Sequence, residues 1–220
     1  MIKKKIAVIF DMDGVLVNNT KYHIMAWEKF CKKHDITWDE EVYLKNINGR
    51  PIREGIVSLF PGNLSPDNID SLCLEKEFMY REIYRNDIMP LPGLLPFLEH
   101  LSANNIPKAI ATSANALNVA FTIEGINIKR YFNIVLDENS VTKGKPHPEI
   151  YLKTSKALNV DPSLCVVFED SLSGITAART AGMKVVGLTT THAYDKLTDA
   201  NMIKENFNNI TIKTLESLFI

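Results

Sequence analysis

The chain has 220 residues, with 25 Lys plus Arg against 26 Asp plus Glu, a formal charge of -1 and 45% hydrophobic residues. That length suits one domain, or one domain with a modest insertion, and folding would hide roughly 72% of the extended chain's surface, so a core is available without staples. A near-zero net charge excludes the broad basic surface that nucleic acid or an anionic membrane would require.

In chain order, Lys3, Lys4 and Lys5 precede a short apolar run at 6–10 that Asp11 ends too early for a signal peptide, and no later run approaches membrane-spanning length. The expectation is a soluble, cytoplasmic protein, with a monomer as the default. The run Ile6-Ala7-Val8-Ile9-Phe10 reads as a strand buried on both faces of a parallel sheet. From about 18 to 92 only helical pattern follows, over 22–34, 40–45, 52–60 and 66–85, punctuated by Pro61-Gly62 and Pro90-Leu91-Pro92-Gly93. Beyond it, strand-like runs at 108–112, 134–136, 164–168 and 184–188 alternate with helical stretches at 94–103, 116–124, 149–158 and 174–181. This alternation predicts an α/β fold, a doubly wound, Rossmann-like parallel sheet with its site at the carboxyl ends of the strands. The helical stretch is expected to be an inserted cap, giving a core of 1–17 and 93–220 and a helical-bundle cap of 18–92 placed where a lid belongs. Cys31, Cys73 and Cys165 stand in no Cys-x-x-Cys spacing, so they encode neither a disulfide framework nor a zinc site.

Chemistry-bearing residues follow the strands. The first ends in Asp11-Met12-Asp13-Gly14-Val15, the second in Thr112-Ser113, the fourth in Glu169-Asp170, and Thr142-Lys143-Gly144-Lys145-Pro146 precedes a helix beginning near His147. Two carboxylates two apart point to opposite faces of a straight strand, but a turn at Gly14 lets Asp11 and Asp13 reach one cleft. Clustered with Asp170 they would repel one another unless a cation intervened, and as hard oxygen ligands they suit Mg2+. Thr112 offers a hydroxyl, Ser113 a backbone N–H and Lys145 a compact charge, the groups that hold an anionic tetrahedral group beside a carboxylate nucleophile.

Alone, each feature has a plainer reading. Acids after a strand form Asx turns or helix caps, Thr112-Ser113 and Glu169-Asp170-Ser171 open helices, and a single lysine is ordinarily surface charge. A Ca2+-binding helix-loop-helix is excluded, because its loop needs an acid and then Gly where Val15 and Leu16 stand. The joint appearance at successive strand ends weakens these readings.

At these residues the sequence resembles the haloacid dehalogenase-like (HAD) phosphotransferase superfamily and, more narrowly, its beta-phosphoglucomutase-like branch of phosphatases and mutases. The resemblance rests on D-M-D-G-V at 11–15, A-T-S-A at 111–114, G-K-P-H-P-E at 144–149 and F-E-D-S-x-x-G at 168–174, and it covers essentially the whole chain. It implies Asp11 as nucleophile and Asp13 as general acid and base. It implies Mg2+ held by Asp11, the Asp13 backbone carbonyl and Asp170, with Glu169 assisting, and a phosphoryl group bound by Thr112, Ser113 and Lys145, with Ala114 beside them. The retained Asp13 disfavours a dehalogenase, since a halide needs no proton. Asn18-Asn19 stands where relatives commonly carry Asp and then Ser or Thr.

In the cap, the branch places a histidine at His23 and a lysine near Lys76, and its loop corresponds to Gly49, Arg50 and Arg53, with Asn48 where a mutase would carry lysine. His23 and Trp27, one turn apart, could equally pack the cap, and Lys76 by itself reads more readily as surface. The expected activity is that of a Mg2+-dependent phosphatase of a small phosphorylated metabolite, a sugar phosphate foremost. The alternatives are beta-phosphoglucomutase, inorganic pyrophosphatase and a non-catalytic phosphate-binding protein.

Overall fold

The structure, a computed structural model, describes residues 6–47, 51–60, 62 and 64–219. Strands β1 (Ala7–Phe10), β2 (Lys108–Ala111), β3 (Val135–Leu136), β4 (Cys165–Glu169), β5 (Lys184–Leu188) and β6 (Met202–Lys204) form one sheet in the order β3-β2-β1-β4-β5-β6. Every pairing is parallel. β1 is therefore central, flanked by β2 and β4, and all four of its residues are buried, which explains its unbroken apolar run.

Side chains alternate across it. Val8 and Phe10 enter one core face, where Phe10 stacks on Phe168 at 5.3 Å and Phe97 and Phe207 close over them. Ala7 and Ile9 enter the other face, with Val167, Ile150 and Tyr151. Helices α5 (Leu94–Ala103), α6 (Ala116–Gly125), α7 (Glu149–Leu158) and α8 (Leu172–Thr180) are the crossovers, and α9 (Ile212–Glu216) follows the sheet.

Before α5 the chain makes α1 (Thr20–Lys33), α2 (Glu40–Asn46), α3 (Ile52–Leu59) and α4 (Pro66–Tyr84). They share a core of their own, in which Trp27, Phe30 and Cys31 of α1 meet Tyr43, Ile47 and Ile56. Where the chain leaves the sheet and returns to it the two segments meet, Leu91 N–H donating to the Leu16 carbonyl at 2.9 Å. The helical block therefore stands on a narrow two-segment base beside the carboxyl end of β1.

Among the described residues the expected five strands are six. β6 is three half-buried residues at the sheet edge, too short for any periodicity to mark it. The helix expected from Gly174 starts at Leu172, because the Ser171 hydroxyl accepts from Gly174 N–H and caps it. The helical stretch expected over 149–158 is α7, which starts at Glu149 directly after Pro148.

Candidate active site

The ends of β1, β2 and β4 and the loop before α7 converge on one cleft that α1 and α4 cover. The space between its walls is about 690 Å3 with the open solvent at its mouth included. Asp11 extends the sheet ladder, its N–H donating to the Phe168 carbonyl at 3.0 Å, and the chain then turns. Gly14 has a left-handed φ of 73°, and a Cβ there would lie 2.0 Å from Asp170 Oδ2, so only glycine lets the turn pack against that carboxylate. The turn returns the Asp13 side chain to the cleft that Asp11 lines.

Lys145, 3% exposed, is delivered by the loop before α7. Its Nζ donates to Asp11 Oδ1 at 2.7 Å and to Glu169 Oε1 at 2.6 Å. Glu169 is also held by the Tyr151 hydroxyl at 2.8 Å and, on its other oxygen, by the backbone N–H groups of Asp170 and Ser171, both at 2.9 Å, and the Ser171 hydroxyl. With both its oxygens so engaged, Glu169 anchors Lys145 and the start of α8. Gly174 is required there, since a Cβ would fall 1.7 Å from Glu169 Oε1. Thr112 is buried, and its hydroxyl oxygen accepts from Ala114 N–H at 3.1 Å, which leaves its hydrogen to donate. Thr112, Ser113 and Ala114 all line the cleft.

Burial sets the charges. It pushes the Asp11 carboxyl up to about 7, against the pull of Lys145 and with the push of Glu169. It pushes Asp170 well above the usual carboxylate range, the charges of Glu169 and Asp11 adding to it. Burial disfavours a charged Lys145, but Asp11 and Glu169 more than offset this and hold its ammonium. For Glu169 burial works upward too, but Lys145 and the other donors outweigh it and keep the carboxyl below its ordinary range.

One ligand oxygen each from Asp11, Glu169 and Asp170 lie within 4.8 Å of one another, all three buried. Asp11 gives Oδ1 to Lys145 and Asp170 gives Oδ2 to Thr191, leaving each, among the described residues, an oxygen for a cation. A buried all-oxygen cluster whose members repel one another is the donor set that fits Mg2+.

The helical block supplies the opposite wall. The His23 ring stacks on Tyr80 at 3.8 Å, and Lys76 Nζ lies 2.9 Å from His23 Nδ1. An ammonium can only donate, so Nδ1 is the accepting atom of that contact, and the other ring nitrogen, Nε2, stands 3.8 Å from Asp13 Oδ2. Asn19, fully buried, accepts from Gly14 N–H at 3.0 Å and donates to Asp13 Oδ1 at 2.6 Å and to the Tyr80 hydroxyl at 2.7 Å. Burial pushes Asp13 up, yet contact with the His23 ring, the Asn19 amide and the Lys76 charge hold it below the usual range.

The structure thus brings Asp11, Asp13, His23, Lys76, Thr112, Ser113, Ala114 and Asp170 to one cleft, with Lys145 and Glu169 directly behind Asp11. Lys76 is not the surface residue it resembles in isolation. It is 2% exposed, paired with Glu77 at 2.9 Å and placed over the Trp27 ring at 4.9 Å. Arg53, expected at the site, is not brought there. It stays half-exposed on α3, where its nearest carboxylate is Asp70 of α4 and the two pair. Gly49 and Arg50 lie outside the described residues. Sequence reasoning misses Asn19, Glu77, Asn118, Tyr151 and Thr191. Only Asn19 carries a signal, as a polar residue at the entry to the helical block.

Among known proteins, the model of the haloacid dehalogenase-like hydrolase family matches residues 8–188. The chain is 30% identical over 205 residues to the validoxylamine A 7'-phosphate phosphatase of Streptomyces hygroscopicus subsp. limoneus, across 92% of this chain and 94% of that one. It is 31% identical over 192 residues to the beta-phosphoglucomutase of Bacillus subtilis, across 83% of this chain and 82% of that one. Among solved structures, a HAD hydrolase, family IA, variant 3, from Entamoeba histolytica is similar with a TM-score of 0.87 and 33% identity, covering 97% of this chain and 98% of that one.

Proposed function

Because the chain belongs to the haloacid dehalogenase-like hydrolases, we propose that it is a Mg2+-dependent phosphatase of small phosphorylated metabolites, sugar phosphates foremost, with α1–α4 as the cap over its site. The observation that carries this reading is the pair of carboxylates after β1, held in different ways. Asp11 is fixed by Lys145 at the floor of the cleft, and Asp13 is fixed by Asn19 and faces His23. One group is placed to attack and the other to move a proton.

An Asp11 oxygen attacks phosphorus, the ester P–O bond breaks, and Asp13, which must take up a proton on substrate binding against the pull of His23 and Asn19, gives that proton to the departing alkoxide. Asp13, now a carboxylate, takes a proton from water as the water oxygen attacks the phosphorus of the aspartyl-phosphate. Inorganic phosphate leaves and the Asp11 carboxylate is restored. Thr112 and the Ser113 amide orient the phosphoryl oxygens, and Lys145 balances negative charge beside Asp11. Mg2+ held by Asp11 and Asp170 would supply charge neutralisation at the transferring group. Asp13 has no task when the leaving group is a halide, which supports phosphate esters over haloacids.

The test is release of inorganic phosphate from a panel of sugar and polyol phosphates with Mg2+. Asp11→Asn should abolish turnover, and Asp13→Ala should lower it by about a hundredfold or more. Activity unaffected by Asp11→Asn would sink the reading. Beta-phosphoglucomutase is the second reading, supported by the Bacillus subtilis relative and by the His23–Lys76 pair in the cleft. Supplying beta-glucose 1-phosphate with a trace of the 1,6-bisphosphate separates the two, since glucose 6-phosphate exceeding free phosphate would favour the mutase.

A further inference from the structure

The cleft wall opposite Asp11 holds a buried ion pair, Glu77 with Lys76, whose carboxylate the proposed chemistry does not use. Glu77 of α4 lines the cleft, 5% exposed, and both of its oxygens are engaged. Oε1 accepts from Lys76 Nζ at 2.9 Å, and Oε2 accepts from Asn118 Nδ2, on α6. The orientation of the Asn118 amide is determined, because its Oδ1 accepts from Arg81 Nη1 at 2.6 Å and an arginine can only donate. Its NH2 group must then face Glu77 Oε2, and with Oε1 accepting from Lys76 as well both Glu77 oxygens are acceptors, as in a carboxylate. Lys76, 2% exposed, has one donor on Glu77 and another at His23 Nδ1.

The two cations described at the cleft are thus each matched, Lys145 by Asp11 and Glu169 and Lys76 by Glu77. A second phosphate or a carboxylate on the substrate would meet Glu77 with no unmatched cation among the described residues. A sugar or polyol hydroxyl meets no such penalty. It can donate to a remaining Glu77 lone pair and accept from the third Lys76 hydrogen, or from Asn115, which also lines the cleft.

We propose that Glu77 is a specificity-determining residue, which restricts this cleft to monophosphate esters of neutral polyols and sugars and rejects substrates with a second anionic group. The inference rests on the phosphatase reading and narrows its substrate class, and it counts against a mutase, which must hold a bisphosphate. Because Lys76 offsets the Glu77 charge at 2.9 Å, the discrimination comes from denying a second anion a free cation, and an anion desolvated without a matching charge typically loses enough to separate two substrates by about a hundredfold.

The experiment compares kcat/KM, with Mg2+, for glycerol 3-phosphate and glucose 6-phosphate against fructose 1,6-bisphosphate and 2-phosphoglycolate. The native enzyme should favour the first pair by about a hundredfold or more, and Glu77→Gln should narrow that ratio at least about tenfold. Asn118→Ala keeps the Glu77 charge while removing its donor, so it should lower the melting temperature and leave the ratio within about threefold of native. A merely structural role would move the ratio alike in both variants, and that result overturns the proposal. So does native enzyme that turns over the bisphosphate as well as the monophosphates, a comparison that stands even if Glu77→Gln fails to fold. Absence of any ester hydrolysis would instead sink the phosphatase reading, and this inference with it.

Discussion

One side chain, that of Asn19, connects three parts of the site: the Gly14 N–H of the turn, the Asp13 carboxylate and the Tyr80 hydroxyl of α4. A carboxylate that must give up and regain a proton has to hold one orientation while doing so, and the amide supplies it. Asn19→Ala would leave the buried Gly14 N–H without a partner, at a cost of about 1–3 kcal/mol, and would free Asp13 to rotate. The expected outcome is a kcat lower by about tenfold or more with KM changed less, read from steady-state kinetics beside a thermal melt. A melt that falls while kcat holds would make Asn19 a structural residue only. In the sequence, Asn18-Asn19 is visible merely as a departure from Asp then Ser or Thr, because the amide's partners depend on the turn at Gly14 and on Tyr80, 61 residues away. Lys76 is marked in the sequence by the family resemblance alone, and its burial is illegible for the same reason. Its burial depends on the Trp27 ring and on His23, both on another helix.

Individual elements are far more legible than side-chain partners. The helices at 94–103 and 149–158 coincide with their sequence patterns, because apolar spacing and the bounding prolines and glycine carry the signal locally. β6 and α9, with three and five residues, give no such signal. The loop into α7 matters most for the site, since it delivers Lys145, and Glu149 at the first helical position ties it down. Its carboxylate accepts from Thr142 N–H at 3.1 Å, the Thr142 hydroxyl at 2.9 Å, Lys143 N–H at 3.0 Å and Lys153 Nζ, one turn along, at 2.7 Å. The bond from Lys153 is the largest of the effects that lower the Glu149 carboxyl to about 2, ahead of the Thr142 and Lys143 amides. A depressed folded-state value means that the stability it contributes is present above the ordinary glutamate range and is lost as pH falls toward 2. Glu149→Gln should therefore melt lower than native protein at pH 7, with the gap closing between about pH 4.5 and 2 as the native carboxylate takes up its proton. The group is accessible to solvent, so the gap should also shrink in high salt. A gap independent of pH would refute the carboxylate's part in holding the loop.

For the molecule as a whole, a net charge of -1 conceals a cluster of carboxylates around the carboxyl ends of β1 and β4, where Lys145 is the buried cation. Burial raises Asp11 to about 7 and Asp170 well above the usual range, so without a metal the folded protein binds protons there that the unfolded chain releases. Raised carboxyl values stabilise the fold at low pH and lose that contribution as pH climbs through them, which for Asp11 spans from its ordinary value of 3.8 to about 7. A divalent cation binding the same oxygens competes with those protons and binds the native state alone, so its stabilisation grows as the protons leave. Added Mg2+ should then raise the melting temperature little at pH 5 and progressively more through pH 7 to 8. At a hundredfold excess over its dissociation constant the effect is about 2.7 kcal/mol, and a chelator should reverse it. Asp170→Asn should remove most of the pH-dependent rise while leaving the fold intact, because it deletes one ligand charge and relieves the repulsion on Asp11. A Mg2+ shift of equal size at pH 5 and pH 8, or one that survives Asp170→Asn, would place the cation elsewhere and separate the metal from the carboxylate cluster that the strand ends assemble.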